Sequence, residues 1–110
     1  MINIRLATEG DLIKKINIRG HAEFDVPGKD IVCAGVSALY FACLNSLKII
    51  SADSDKIFSV KSVKGDAEIE FLSAEKASQI IATVLVVGLK NIEKEYGNFV
   101  KIEEVNLNGT

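Results

Sequence analysis

The chain has no tryptophan, one proline (Pro27), one histidine (His21) and only two cysteines (Cys33 and Cys43) among its 110 residues. Each scarcity removes a class of protein. Two cysteines are too few for a disulfide framework. If both lie on one helix, ten residues at a rise of ~1.5 Å set their Cα atoms roughly 15 Å apart, well beyond the ~7 Å that a bridge can span. One histidine and two distant cysteines do not supply the ligands of a closed zinc site, so neither metal nor cofactor is expected. Without a Cys-x-x-Cys pair, a thiol redox enzyme ranks low. Apolar runs such as Ile80–Leu89 reach about half of the ~20 residues that cross a bilayer, so no membrane association is expected. Met1–Leu6 alternates in polarity and has no secretory h-region, which makes the cytoplasm the expected compartment. Nor does one sign of charge dominate. Thirteen Lys and Arg are interspersed with fifteen Asp and Glu, for a net charge of −2, so direct nucleic-acid binding is not expected.

What is present is a folded composition, 48% hydrophobic, in a chain long enough for one core and too short for two. Residues 1–110 are therefore read as a single domain. Ile2, Ile4 and Leu6 alternate with Asn3, Arg5 and Thr8. After Glu9-Gly10-Asp11, Ile16 and Ile18 alternate with Lys15, Asn17 and Arg19, which predicts a hairpin. Residues 23–29, with Phe24, Pro27 and Gly28, follow no period and read as a loop of lid length. Asp30 reads as the N-cap of a helix that runs to about Ile50. Residues 56–63 and 67–72 predict a second hairpin, and Ser73 reads as the cap of a second helix with Ala77, Ile80, Ile81, Val84, Leu85 and Leu89 facing the core. Gly97 is the expected C′ residue, and residues 99–105 form a last strand. The order ββαββαβ predicts an α+β two-layer sandwich, a largely antiparallel sheet with two helices on one face.

Both helices are apolar over more than one stripe. Val36–Leu44 is almost wholly apolar, and Thr83 is the one polar side chain between Ile80 and Leu89. Helices apolar most of the way round are buried on more than one side, which predicts a homodimer. Cys43, inside Leu39–Leu44, reads as a small core residue.

Cys33 is different because of where it falls. With Asp30 as N-cap it occupies N3, among the unpaired amides of the first turn, and the only imidazole lies twelve residues earlier. A helix N-terminus and a nearby histidine both favour a thiolate. His21 and Cys33 are therefore the candidate catalytic residues, the imidazole as base and then acid, the thiolate as nucleophile. A buried structural cysteine and an ordinary surface histidine are the plainer readings. Asp30 reads as a cap first and as an orienting group for His21 second. Ser37, one turn after Cys33, either bonds a preceding carbonyl or supports the site. Gly20 and Gly28 bound the loop and are candidate hinges. Phe24 reads as an apolar anchor, with a substrate-pocket role as the alternative.

The spaced pattern Gly20-His21-Ala22 followed by Gly28-Lys29-Asp30-Ile31-Val32-Cys33-Ala34-Gly35-Val36-Ser37 resembles the signature of the ribosomal-processing cysteine protease family, Prp. The closing Phe99–Val105 and the element order are also similar, so the resemblance spans essentially the full chain. Gly35 stands where alanine is frequent in that family, a change that helix sterics tolerate. The resemblance implies a single Prp-like domain and a small dimeric cysteine endopeptidase. Its expected substrate is the precursor of a bacterial large-subunit ribosomal protein, the one numbered twenty-seven, which loses a short N-terminal extension. His21 and Cys33 match the family's catalytic pair. The competing reading is a non-catalytic dimeric ribosome-associated assembly or binding protein.

Overall fold

The computed structural model describes residues 1–20, 29–51 and 53–108, with Lys29 and Asp30 described by backbone alone. Strands β1 (Ile2–Glu9) and β2 (Leu12–Arg19) precede helix α1 (Lys29–Ile50), a single helical turn α2 (Ser54–Ile57), strands β3 (Phe58–Val63) and β4 (Asp66–Phe71), helix α3 (Lys76–Glu95) and strand β5 (Val100–Asn106). The five strands form one sheet in the order β3-β4-β2-β1-β5. All neighbours are antiparallel except β1 and β5, which run parallel with Ile2 opposite Val100 and Ile4 opposite Ile102. The predicted α+β sandwich is what forms.

Period-two alternation decides the two faces of the sheet. Ile2, Ile4, Leu6, Ile16, Ile69, Phe71 and Val100 are buried in one core with Val32, Val36, Tyr40, Cys43, Leu44 and Leu47 of α1 and Ala82, Leu85 and Leu89 of α3. The other face is open and carries Arg5 paired with Glu103 and Lys15 with Glu68. A pairing irregularity in β1–β2 sets Thr8 against Ile13 while Ala7 faces Lys15, so Lys14 is the extra residue of a bulge. Beyond the end of β4, Ile13 has no ladder partner on that side. Gln79 of α3 takes the place of a strand there: its Oε1 accepts from Ile13 N–H and its Nε2 donates to Ile13 C=O, both at 2.9 Å.

Helix α1 is the longest element. By length and mean hydropathy, 1.5 over Ile31–Ile50, it matches a bilayer-crossing helix, a point at which the reading of short apolar runs fell short. Its Val32–Val36–Tyr40–Cys43–Leu47 stripe is core of this fold. The two long helices run antiparallel in contact. A Cβ at Gly88 would lie 2.7 Å from Leu39 Cδ1, and one at Gly35 would lie 3.4 Å from Ile92 Cδ1. Gly88 thus lets the backbone of α3 approach Leu39.

Five local expectations change. Helix α1 starts at Lys29, so Asp30 is its second residue and not the N-cap, and Cys33 is its fifth residue and not N3. An aspartate inside the first turn still complements the helix dipole. Ser73 does not cap α3. Its Oγ accepts from Glu75 N–H, which shapes a turn, and the helix starts at Lys76 behind Glu75. The residues assigned to strand at 56 and 57 close the helical turn α2, and β3 starts at Phe58. On α3, Ile80 and Val84 are exposed, whereas Ser78, Ala82, Leu85 and Leu89 are buried. Apolarity all round left the facing stripe undetermined in sequence, and the Gly88–Leu39 approach and the Gln79 clamp set the rotation. Gly97 follows the C-cap Tyr96 but does not take the left-handed conformation of a C′ glycine.

Candidate active site

Cys33 is half-buried on the first turns of α1 and packs against the core beside Val32 and Val36, both nearly fully buried. A helix leaves the amide N–H groups of its first turn without intrahelical acceptors, and this end of α1 lies directly before Cys33. Ser37 follows one turn on and is exposed. His21 and Gly28 fall in residues 21–28, outside the described residues, as does Phe24. Asp30 is described only as a helical backbone position. The described chain therefore brings Cys33 and Ser37 together and leaves the distance from His21 to Cys33 outside the description.

Gly20, the last described residue before His21, is held in place. Its φ is 120°, its N–H donates to Gly65 C=O at 3.0 Å, and a Cβ on it would lie 2.3 Å from the carbonyl oxygen of Met1. No L side chain fits that position, so glycine is a steric requirement here. The hydrogen bond fixes the point from which the chain leaves β2 toward His21.

A groove of about 380 Å³ runs between α1 and the β3–β4 turn. Gly20 and Ile18 close its base, Val36, Ser37, Tyr40 and Phe41 form the helical wall, and residues 62–67 form the opposite wall. It starts one turn from Cys33. A larger depression of about 600 Å³ lies on the open face of the sheet among the Arg5–Glu103 and Lys15–Glu68 pairs, away from α1, and no thiol or hydroxyl side chain lines it among the described residues. Sequence reading singled out Cys33 and Ser37 as candidates and did not anticipate the groove. The available signal was Tyr40, seven residues from Cys33 and so on nearly the same helical face.

Cys43 shows the opposite environment. It is buried, and burial pushes its thiol up to about 11. Both cysteines are thiols, with no disulfide. Burial, and secondarily the nearby Cys43, also raises the Tyr40 phenol above its ordinary value. Among the described residues no three His, Cys, Asp or Glu side chains gather into a metal-sized set.

A thiol at a helix start beside a groove is an arrangement suited to attack on a bound carbonyl. The sequence model described as cysteine protease Prp matches residues 1–101. The chain belongs to the Prp family of cysteine proteases. The ribosomal processing cysteine protease Prp of Bacillus subtilis (strain 168) is 28% identical over 95 residues, covering 82% of this chain and 84% of that protein. The Mycoplasma pneumoniae Prp is 30% identical over 95 residues, covering 82% and 86%. Among solved structures, the essential ribosomal processing protease Prp from S. aureus, in complex with a substrate peptide, superposes with a TM-score of 0.84 at 23% identity, covering 94% of this chain and 99% of that one. Membership in the family decides for a cysteine protease over the non-catalytic binding module.

Proposed function

We propose that this protease removes the N-terminal extension of a bacterial large-subunit ribosomal protein precursor, the one numbered twenty-seven, with Cys33 as nucleophile and His21 as its acid–base partner. The observation that carries the reading is the half-buried thiol at the start of α1 with a groove beginning one turn away. Relatives that are named ribosomal processing proteases support the substrate class. His21 takes the thiol proton, and the thiolate attacks the scissile carbonyl. First-turn amides of α1 stabilise the oxyanion, and the imidazolium then protonates the leaving amine. Water releases the acyl group in the reverse sense. Ser37 supports the site from one turn along, Asp30 orients the imidazole or serves the helix start alone, and Gly20 and Gly28 pivot the segment that carries His21. The peptide lies in the groove between α1 and the β3–β4 turn.

The enzyme acts as a cytoplasmic homodimer without membrane or direct nucleic-acid contact in this reading. Ile80, Val84 and Val87 form an exposed apolar stripe along α3, at i, i+4, i+7 spacing, that a second copy covers. Sedimentation at micromolar concentration should give twice the 11.9 kDa chain mass, and a monomeric mass counts against the dimer. For the activity, intact-mass measurement of the precursor after incubation with the protein should show loss of a short N-terminal peptide. An unchanged precursor mass contradicts the assignment.

A further inference from the structure

The sheet ends in two edge strands, and the fold treats them differently. On the β5 edge, Glu93 of α3 reaches across, its Oε2 accepting from Ile102 N–H at 2.7 Å, and Lys90 pairs with Glu104 at 2.6 Å. The β3 edge has no such cover among the described residues. Lys64-Gly65 closes the β3–β4 hairpin between Val63 and Asp66, and at the far end Leu72 N–H donates to Ile57 C=O at 2.8 Å. Antiparallel ladders alternate bonded and non-bonded pairs. Ser59, Lys61 and Val63 therefore bond β4, while the N–H and C=O groups of Phe58, Val60 and Ser62 point away from the sheet. Phe58 obeys this parity, because its N–H donates outward to Ser54 C=O of α2. Among the described residues nothing pairs with the outward groups of Val60 and Ser62, and both residues are exposed.

An edge of this kind is a template for a further strand, and proteins blunt such edges with charge, proline, bulges or a covering element. Strand β3 carries one central lysine, Lys61, and neither proline nor bulge. Its place in the fold selects the occupant. Ser62 and Val63 stand in the groove wall opposite Ser37 and Phe41, and that groove starts one turn from Cys33, so the open edge continues the candidate active site. A chain lying between α1 and β3 meets side chains from the helix and main-chain groups from the strand. We propose that β3 binds the substrate by strand addition, the extended peptide pairing with the N–H and C=O groups of Val60 and Ser62 while its scissile carbonyl lies at Cys33. This mode of binding rests on the reading of the groove as the peptide site. The outward groups of β3 recur every two residues, roughly 6.7 Å apart, which is also the repeat of an extended peptide. Affinity then comes from the peptide backbone, and every second amide of the peptide faces the edge.

The test uses a fluorogenic peptide spanning the N-terminal segment of the precursor. Proline at an outward position removes an N–H that β4 does not use, and edge strands tolerate it. The double variant Val60→Pro/Ser62→Pro should therefore fold, and it should raise KM about tenfold or more through the loss of two main-chain hydrogen bonds, with kcat within about twofold. A KM within about twofold of the native value in the folded variant overturns strand addition. If that unchanged KM comes with a shift from dimer to monomer in sedimentation, the edge belongs to a second copy of the chain and not to the peptide. A second measurement needs no variant to fold, since it reads singly N-methylated peptides against the native protein. Methylation at two amides that are two residues apart should each raise KM about three- to tenfold, and methylation at the amide between them should change it less than about twofold. Sensitivity at no amide, or equally at consecutive amides, overturns the pairing with β3. If the native protein leaves the unmodified peptide uncut, the proposed function itself fails and strand addition with it; cleavage without the period-two pattern removes strand addition alone.

Discussion

Cys33 and Cys43 are the same residue type on the same helix, ten positions apart, and the fold gives them different surroundings. Cys43 sits mid-helix in the core with Leu44 and Leu47, where burial lifts its thiol to about 11. Cys33 sits near the helix start, half-buried, one turn from the end of a groove. What separates them is depth of packing and distance from the helix N-terminus, both of which are set by how α1 lies on the sheet. Identity as cysteine says little, and position on the element says most. The contrast also explains why a small protease tolerates a second thiol, since one held protonated in the core does not compete as a nucleophile.

The largest effect expected on this contrast comes from replacing each thiol in turn. Cys33→Ala should lower kcat for precursor cleavage by at least about 10⁴-fold with an unchanged melting curve, whereas Cys43→Ala should keep kcat within about twofold. Comparable losses in both variants would erase the distinction. Next comes Gly20→Ala, which forces a side chain into a φ of 120° and against the Met1 carbonyl. It should cost about 3 kcal/mol in chemical denaturation and reduce cleavage, because the clash lies where the chain leaves β2 toward His21. A neutral result would mean that the departure point of this segment does not matter to the Cys33 end of α1. The smallest effect is the stability cost of Cys43→Ala, about 1–2 kcal/mol for a small cavity beside Leu44 and Leu47. The Cys43 thiol also brings a pH dependence. Its folded value lies above the ordinary 9.0, so the stability it contributes is full below about pH 9 and falls as pH rises toward 11. In Cys43→Ala the decline in unfolding free energy across that window should be shallower.

Much of this was legible in sequence because it rests on periodicity. The alternation of Ile2, Ile4 and Leu6, and of Lys15 to Arg19, gave the first hairpin, and the same rule gave β3, β4 and β5 to within a few residues. The candidate nucleophile was legible from Cys33 near a helix start after a glycine-bounded loop. Where sequence reading failed, the deciding contact was tertiary. The facing stripe of α3 depends on Gly88 against Leu39 and on Gln79 against the backbone of Ile13, and a run apolar on every side carries no trace of either. The start of α1 moved by two residues because an aspartate serves a helix both as a cap and within its first turn. The groove was hidden because its walls come from residues 36–41 and 62–67, which only the sheet order brings together.

The central claim is that Cys33 is a nucleophile activated by His21. Site-resolved mass spectrometry of iodoacetamide labelling at pH 7, on the native protein and on His21→Ala, tests it most directly. The account predicts that Cys33 is alkylated at least tenfold faster than Cys43 in the native protein and that its rate drops several-fold without His21. Equal Cys33 rates with and without His21, or labelling that favours Cys43, would contradict it.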